Sequence, residues 1–187
     1  MFPDGDILDF VIKELPQNEY KYHELHYTYK SFEHYKLEKV TSRNSFSFTY
    51  NRKMRDEVYE HDSYDTLYDD VWQDCEAYGV FVDDQTEPVA YLELSREEWN
   101  DRLRITNLLV KEEYRRCGIG RFLIEKAKEI ACKEDRRIIT LETQSCNVPA
   151  IDFYLKQGFV FSGTNLFFYS NIDEEYDEIM VEMAYLY

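Results

Sequence analysis

Arg115, Gly118 and Gly120 stand at the spacing R-x-x-G-x-G. They lie between an apolar run ending Leu108-Leu109-Val110 and a second run, Phe122, Leu123, Ala127, Ile130 and Ala131, that recurs at helical spacing. A strand, a glycine-bearing turn and a helix in that order suit the binding of a phosphate group. Glycine lacks the Cβ that keeps a bulky anion off the backbone, and successive N–H groups at a helix N-terminus can grip phosphate oxygens. Arg115, Arg116 and Arg121 add positive charge around the turn, which Cys117 and Ile119 complete. Two well-known phosphate loops do not fit. The dinucleotide fingerprint G-x-G-x-x-G lacks its first glycine, and no Gly-Lys-Ser/Thr follows as an ATP-type loop requires. An ordinary strand–turn–helix without a ligand is the competing reading of R-x-x-G-x-G by itself.

The elements around that turn describe a single α/β domain over residues 1–187. Residues Tyr78–Val82 and Val89–Leu94 flank the polar turn Asp83-Asp84-Gln85-Thr86, a hairpin signal. Leu103–Val110 follows as a third antiparallel strand. The helix then crosses over to the β-branched strand Arg137–Thr143, which a right-handed crossover places parallel to the third. Asn147 is a good N-cap, Pro149 suits a first helical turn and Gly158 a C-terminal stop, so a second helix is expected between them. Val160–Tyr169 and Glu178–Tyr187 read as closing strands. Before the hairpin, Asp6–Leu15 holds a short strand and Ser45–Tyr50 alternates with period two. Asn51–Glu76 reads as helix in two pieces, with Met54 and Val58 on one face and Leu67, Val71 and Cys75 on another. Tyr64, Tyr68 and Trp72 recur there at intervals of four.

Charge and cysteine content narrow the partners. Of a net charge of −16, the stretch Asp56–Ser95 carries −13, with thirteen Asp and Glu and no Lys or Arg; the other 147 residues carry −3. Nucleic acid is not expected as a partner, because neutralising phosphates takes Lys and Arg. A cationic acceptor suits such a stretch, and so does a merely solvated acidic face. Cys75, Cys117, Cys132 and Cys146 form no C-x-x-C pair, and no His-bearing zinc spacing frames them. Free thiols in a reducing cytoplasm are expected. His23, His26 and His34 lie at helix-compatible intervals without a cysteine or carboxylate cluster, so no metal site is expected. No apolar run approaches a membrane span, and the acidic start MFPDGDILDF is unlike a secretory signal.

Four motifs in sequence then resemble one family. Leu108-x-Val110, R-x-x-G-x-G, the strand end Leu141-Glu142-Thr143-Gln144 and N-x-x-A-x-x-F-Y-x-x-x-G-F from Asn147 to Phe159 together resemble the GNAT acetyltransferase core over residues 77–161. The likeness is greatest to streptothricin acetyltransferases. It includes Trp99-Asn100, Tyr169-Ser170-Asn171 and the acidic tract before the hairpin, while residues 1–45 match loosely. The resemblance implies a GNAT fold: a mixed, mostly antiparallel sheet of about six or seven strands, splayed at an acetyl-CoA site, with helices on both faces. It places the acceptor side in residues 1–76 and closing strands in 162–187, and a homodimer is common among such proteins.

The resemblance also assigns roles. Main-chain groups of Leu108, Leu109 and Val110 meet the pantetheine arm and thioester carbonyl, where a fixed N–H stabilises developing negative charge. The N–H groups from about Arg116 to Arg121 hold the pyrophosphate, and Asn147 steadies the pantetheine side or simply caps its helix. Tyr154 is the expected general acid toward the leaving thiolate, since a phenol of pKa about 10 lies close to a thiol of about 8.5. The acceptor is expected to be a small cationic amine, streptothricin's β-lysine group or else a polyamine, another aminoglycoside-like compound or a protein amine. Asp65, Asp69, Asp70 and Tyr68 are the expected holders of its remote charges, the tyrosine by cation–π contact. The reacting nitrogen poses a separate problem, because an amine of pKa about 10.4 loses its proton at pH 7 at a cost of roughly 4.6 kcal/mol. Relatives carry an acidic pair on the strand before Leu108-x-Val110, where this chain has Thr106-Asn107. Glu142 and Glu93 are the remaining candidate bases, and a non-catalytic sensor of the coenzyme is the alternative that the missing pair favours.

Overall fold

The structure, a computed structural model, describes residues 9–83 and 85–187. Its nine strands are β1 (Phe10–Glu14), β2 (Glu24–Thr41), β3 (Phe46–Thr66), β4 (Cys75–Val82), β5 (Ala90–Glu97), β6 (Arg102–Val110), β7 (Ile138–Gln144), β8 (Val160–Asn165) and β9 (Met180–Tyr185). The helices are α1 (Gln17–Tyr20), α2 (Ile119–Lys133), α3 (Val148–Lys156) and α4 (Asp173–Tyr176). Seven strands form one sheet in the order β1-β4-β5-β6-β7-β9-β8, and β2 pairs with β3 apart from it. The mixed, mostly antiparallel sheet is the architecture expected from the sequence. The described residues divide into two compact units, those of 9–27 with 64–139 and 187, and those of 28–63 with 140–186.

In the first unit, β4 and β5 are the expected hairpin, and β1 and β6 extend it on either side, all antiparallel. Residues such as Val80, Leu92 and Leu94 are fully buried, as a sheet covered on both faces requires. One cover is α2, which buries Leu123, Ile124, Ala127 and Ala131 against β5 and β6. On the other side Leu15, Leu25, Leu67, Tyr68, Phe81 and Leu109 make a continuous apolar cluster. Arg96 ties the end of β5 to Glu76 at 2.5 Å and to Glu134 after α2 at 2.6 Å. The guanidinium's hydrogen bonds hold the Glu134 carboxyl below its usual pKa.

The pairing of β5 with β6 contains one irregularity that matters below. Glu93 faces Asn107, but the next residue on β5, Leu94, faces Ile105. Thr106 is therefore an extra residue on β6, a β-bulge. Such a bulge breaks strict alternation and turns neighbouring side chains to the same side.

In the second unit, β8 and β9 are antiparallel, and α3 follows its expected signals closely. The Asn147 side chain accepts the Ala150 N–H at 3.2 Å, and Gly158 takes a φ of 89°, the left-handed conformation that ends a helix. Val160–Tyr169 is strand only as far as Asn165, whose side chain accepts the Phe167 N–H in a turn.

The largest correction concerns residues 51–66. They are not helical but continue the Ser45–Tyr50 strand into the 21-residue β3, and the histidine-rich stretch before it is the 18-residue β2. A turn from Ser42 to Ser45 joins the two strands, with the Ser42 N–H donated to the Ser45 carbonyl at 2.7 Å. Positions four apart share a face in a helix and also in a strand, so Met54 and Val58 could not distinguish the two. Residues 67–74 form turns rather than helix. The start of the Asp6–Leu15 strand, the acidic N-terminal stretch and Asp84 of the hairpin turn lie outside the described residues. No helix among the described residues is long and apolar enough to cross a membrane.

Candidate active site

The glycine turn takes the form that anion binding requires. Arg116 and Gly118 both have positive φ, 66° and 86°, and Gly118 is the N-cap of α2. The first amide to find a carbonyl within the helix is that of Phe122, bonded to Gly118 at 3.0 Å. The preceding amides of Ile119, Gly120 and Arg121 are left without helical partners. Helices ordinarily set an acidic side chain there to meet the positive end of the dipole, yet the first turn of α2 has none and contains Arg121 instead. A Cβ placed on Gly118 would meet nothing within 4 Å. The turn thus combines open space, unsatisfied donors and uncompensated positive charge, and the residues present fit a diphosphate. Arg115 plays a different part, since its Nε bonds the Val110 carbonyl at 3.0 Å and fixes the turn to the end of β6. On β6 itself Leu109 points into the core while Leu108 and Val110 are half-buried.

Behind that face lies Glu93, wholly buried. Its Oε1 accepts the Tyr68 N–H at 2.5 Å, and its Oε2 accepts the Thr106 hydroxyl at 2.6 Å and the Asn107 amide at 2.9 Å. Tyr27 donates to Asn107 Oδ1 at 2.8 Å, which orients that amide. Thr106 and Asn107 thus both turn onto a carboxylate on the neighbouring strand. The sequence contained the parts, including a glutamate in the otherwise apolar run Ala90-Tyr91-Leu92-Glu93-Leu94. Only the bulge at Thr106 brings them together.

The expected acceptor residues separate. Tyr68 is buried, with a φ of 58°; its hydroxyl donates to the Leu15 carbonyl at 2.5 Å and accepts the Ala77 N–H at 3.0 Å. Its ring is core, and the expectation that it receives a cation is corrected. Asp70 is exposed but already paired, with Lys21 at 2.8 Å and the Tyr22 hydroxyl at 2.6 Å; the lysine's hydrogen bond is the main reason its pKa is lowered. A stretch of chain without Lys or Arg is therefore not a surface without them. Asp69, on the turn and half-buried, accepts the Val71 amide, and Asp65, exposed near the end of β3, accepts that of Thr66. Trp72 sits under the Arg104 guanidinium, 5.1 Å from its ring centre, and Tyr64 stacks on His26 at 4.5 Å, so the spaced aromatics share no face.

In the second unit Tyr154 is buried, with the rings of Phe153 and Phe159 at 5.3 and 5.8 Å. Burial pushes its phenol well above the ordinary tyrosine value. Glu142 accepts the Tyr169 hydroxyl at 3.2 Å. Sequence reasoning missed a polar cluster near these positions. Tyr29 donates to Gln144 at 2.7 Å and stacks on His61 at 4.7 Å, while Tyr59 donates to the Glu178 carboxylate. Burial lowers the His61 pKa, which favours the neutral ring. Tyr59, His61 and Ser63 alternate along β3, a signal visible only once that segment is read as strand. Among the described residues no group of three or more His, Cys, Asp or Glu is arranged to hold a metal ion, and all four cysteines are free.

Comparison with known proteins agrees with this architecture. The chain is 41% identical to a streptothricin acetyltransferase of Escherichia coli over 101 residues, 54% of this chain and 56% of that protein. It is 36% identical to streptothricin acetyltransferase A of Bacillus subtilis over 41% of this chain and 44% of that protein. These alignments span about half the length of the relatives. Among solved structures, nourseothricin acetyltransferase superposes with a TM-score of 0.74 at 21% identity, covering 95% of this chain and 98% of the other. A Bacillus anthracis protein crystallised in complex with acetyl coenzyme A gives 0.71 at 23% identity, covering 97% and 99%. At such identities the likeness is one of fold. The model of the acetyltransferase (GNAT) family matches residues 41–159, well over half of the chain, and takes in the α2 turn, the β6 bulge and α3; the chain belongs to the GNAT family.

Proposed function

We propose that the protein is an N-acetyltransferase that moves the acetyl group of acetyl-CoA to a primary amine of a small cationic acceptor, with streptothricin the first candidate. The observation that carries the reading is the α2 turn, whose free amides and basic first turn suit the diphosphate of the coenzyme. The acceptor is suggested by the names of the relatives from Escherichia coli and Bacillus subtilis. Bound acetyl-CoA supplies an activated acyl group as a thioester. The half-buried face of β6 at Leu108 and Val110 would orient the thioester, and Asn147, which caps α3, would steady the pantetheine side.

Tyr154 would serve as general acid. Its burial keeps the phenol protonated at neutral pH, the state from which an acid must start. Apolar surroundings raise the pKa of a thiol as they do that of a phenol, so the two remain matched for transfer. Exposed Asp65 and half-buried Asp69 would attract remote positive charges of the acceptor; Asp70 would have to give up Lys21 to do so. Against the sensor reading stands Glu93, a candidate base on β5 that is hydrogen-bonded to Thr106 and Asn107 of β6.

The test is thiol release from acetyl-CoA with streptothricin, spermidine and a lysine peptide. Streptothricin should give the highest kcat/KM. Coenzyme binding without turnover on any amine would make the protein a sensor, and no coenzyme binding at all would remove the proposal. Tyr154→Phe should lower kcat by about a hundred-fold, with acetyl-CoA affinity within twofold of the parent. A kcat within threefold would end the general-acid assignment.

A further inference from the structure

The reaction needs a group to take the proton from the attacking nitrogen, and Glu93, the carboxylate bonded to Thr106 and Asn107 of β6, is sealed from solvent. Glu93 touches three donors, of which Tyr68 and Asn107 are themselves buried at 3% and 2% exposure. Thr106 is the exception. It is half-buried, and along β6 it precedes Leu108 and Val110 in the half-buried positions. The bulge turns its side chain to the same side of β6 as Asn107 and Glu93, and two residues further on is the Leu108 main chain, the group that would orient the thioester. From there the hydroxyl bonds, at 2.6 Å, to Glu93 Oε2.

We infer that Thr106 and Glu93 form a proton relay for the acceptor amine, the hydroxyl touching the nitrogen and the carboxylate receiving the proton. The inference rests on the acetyl-transfer reading above. In the step, the neutral amine's nitrogen forms a bond to the acyl carbon and the carbon–sulfur bond breaks. A proton leaves the nitrogen for Thr106 Oγ as the hydroxyl's own proton passes to Glu93 Oε2. The departing sulfur takes a proton from the general acid. The relay runs in reverse to return Glu93's proton to water after the amide has left, and the general acid regains its proton from water before the next turnover. Asn107, held by Tyr27, is a positioning residue that keeps Oε2 in line. The base on β5 is thus reached through a hydroxyl on β6.

The experiment compares Thr106→Val and Thr106→Ser with the parent, measuring amine acetylation from pH 6 to 9, the Kd of acetyl-CoA by calorimetry and the urea midpoint. The valine variant should lose about a hundred-fold in kcat, with Kd within twofold and the midpoint little changed. Serine, which restores the hydroxyl, should recover the rate to within about fivefold. The relay is overturned if valine keeps kcat within threefold of the parent, if serine fails to recover it, or if valine's loss is accompanied by an equal loss of coenzyme affinity or of fold. A parent that acetylates no amine would remove the acetyl-transfer reading and the relay together, whereas an active parent with an active valine variant removes the relay alone.

Discussion

Gly118→Val should weaken acetyl-CoA binding by about a hundred-fold, roughly 2.7 kcal/mol, while the protein stays folded. The two halves of this expectation have separate causes. The backbone at Gly118 has a φ of 86°, a region that β-branched residues rarely occupy, at a cost of about 1–3 kcal/mol. No protein atom lies within 4 Å of the added Cβ, so no collision adds to that strain. The open space is the space a diphosphate would need, and relief of the strain would turn the amides of Ile119 and Gly120 away from it. Gly163→Ala is the control. A Cβ there meets only Glu182, at 3.8 Å, an ordinary contact, and neither stability nor affinity should change measurably. Calorimetric titration with coenzyme A and urea unfolding give the two readings. A Gly118→Val protein that binds at parental strength would show that the α2 turn is no diphosphate seat.

The reasons that this turn was legible in the sequence are local. Gly118, the apolar run before it and the helical periodicity after it lie within about thirty residues, and each signal depends on neighbours in the chain. The same holds for Asn147, Pro149 and Gly158 around α3. What was not legible depended on distant partners. In β3 the inward residues include Tyr59, His61 and Ser63, which are satisfied by hydrogen bonds and ring stacking rather than by apolar contact. Strand alternation is therefore absent from its hydropathy, and the spacing of Met54 and Val58, both exposed, imitated a helix. Tyr68 looked like part of an aromatic row, but the turn after β3 drives it into the core instead. The salt bridge of Asp70 to Lys21 crosses 48 intervening residues, a distance over which charge counting along the chain has no meaning. The register slip at Thr106 belongs to the same class: one extra residue in a strand leaves no mark in composition, yet it decides where two side chains point.

That slip also makes Glu93 the polar residue whose loss the fold should feel most. Replacing it with leucine, which has similar bulk but cannot accept a hydrogen bond, leaves three donors facing an apolar side chain. The Thr106 hydroxyl can turn to water, and Asn107 keeps a long contact of 3.4 Å to the Thr66 carbonyl. The Tyr68 amide has no such alternative, and its residue is pinned in a left-handed conformation by its own hydroxyl bonds to Leu15 and Ala77. Orphaning a buried donor costs about 1–3 kcal/mol, and bonds to a charged acceptor are each stronger than neutral ones. Glu93→Leu should therefore destabilise the protein by about 3–5 kcal/mol in urea unfolding at neutral pH. Glu93→Gln, whose carbonyl can keep one or two of the donors, should cost about half as much. The ordering separates two origins of the loss. If hydrogen-bond satisfaction dominates, glutamine is the milder change. If removing a buried charge were itself favourable enough to offset the orphaned groups, as it is in some buried ion pairs, leucine would equal or exceed the parent. In that event Glu93 would be no support for Tyr68 and the turn that follows it, and its retention would have to be explained by proton transfer alone.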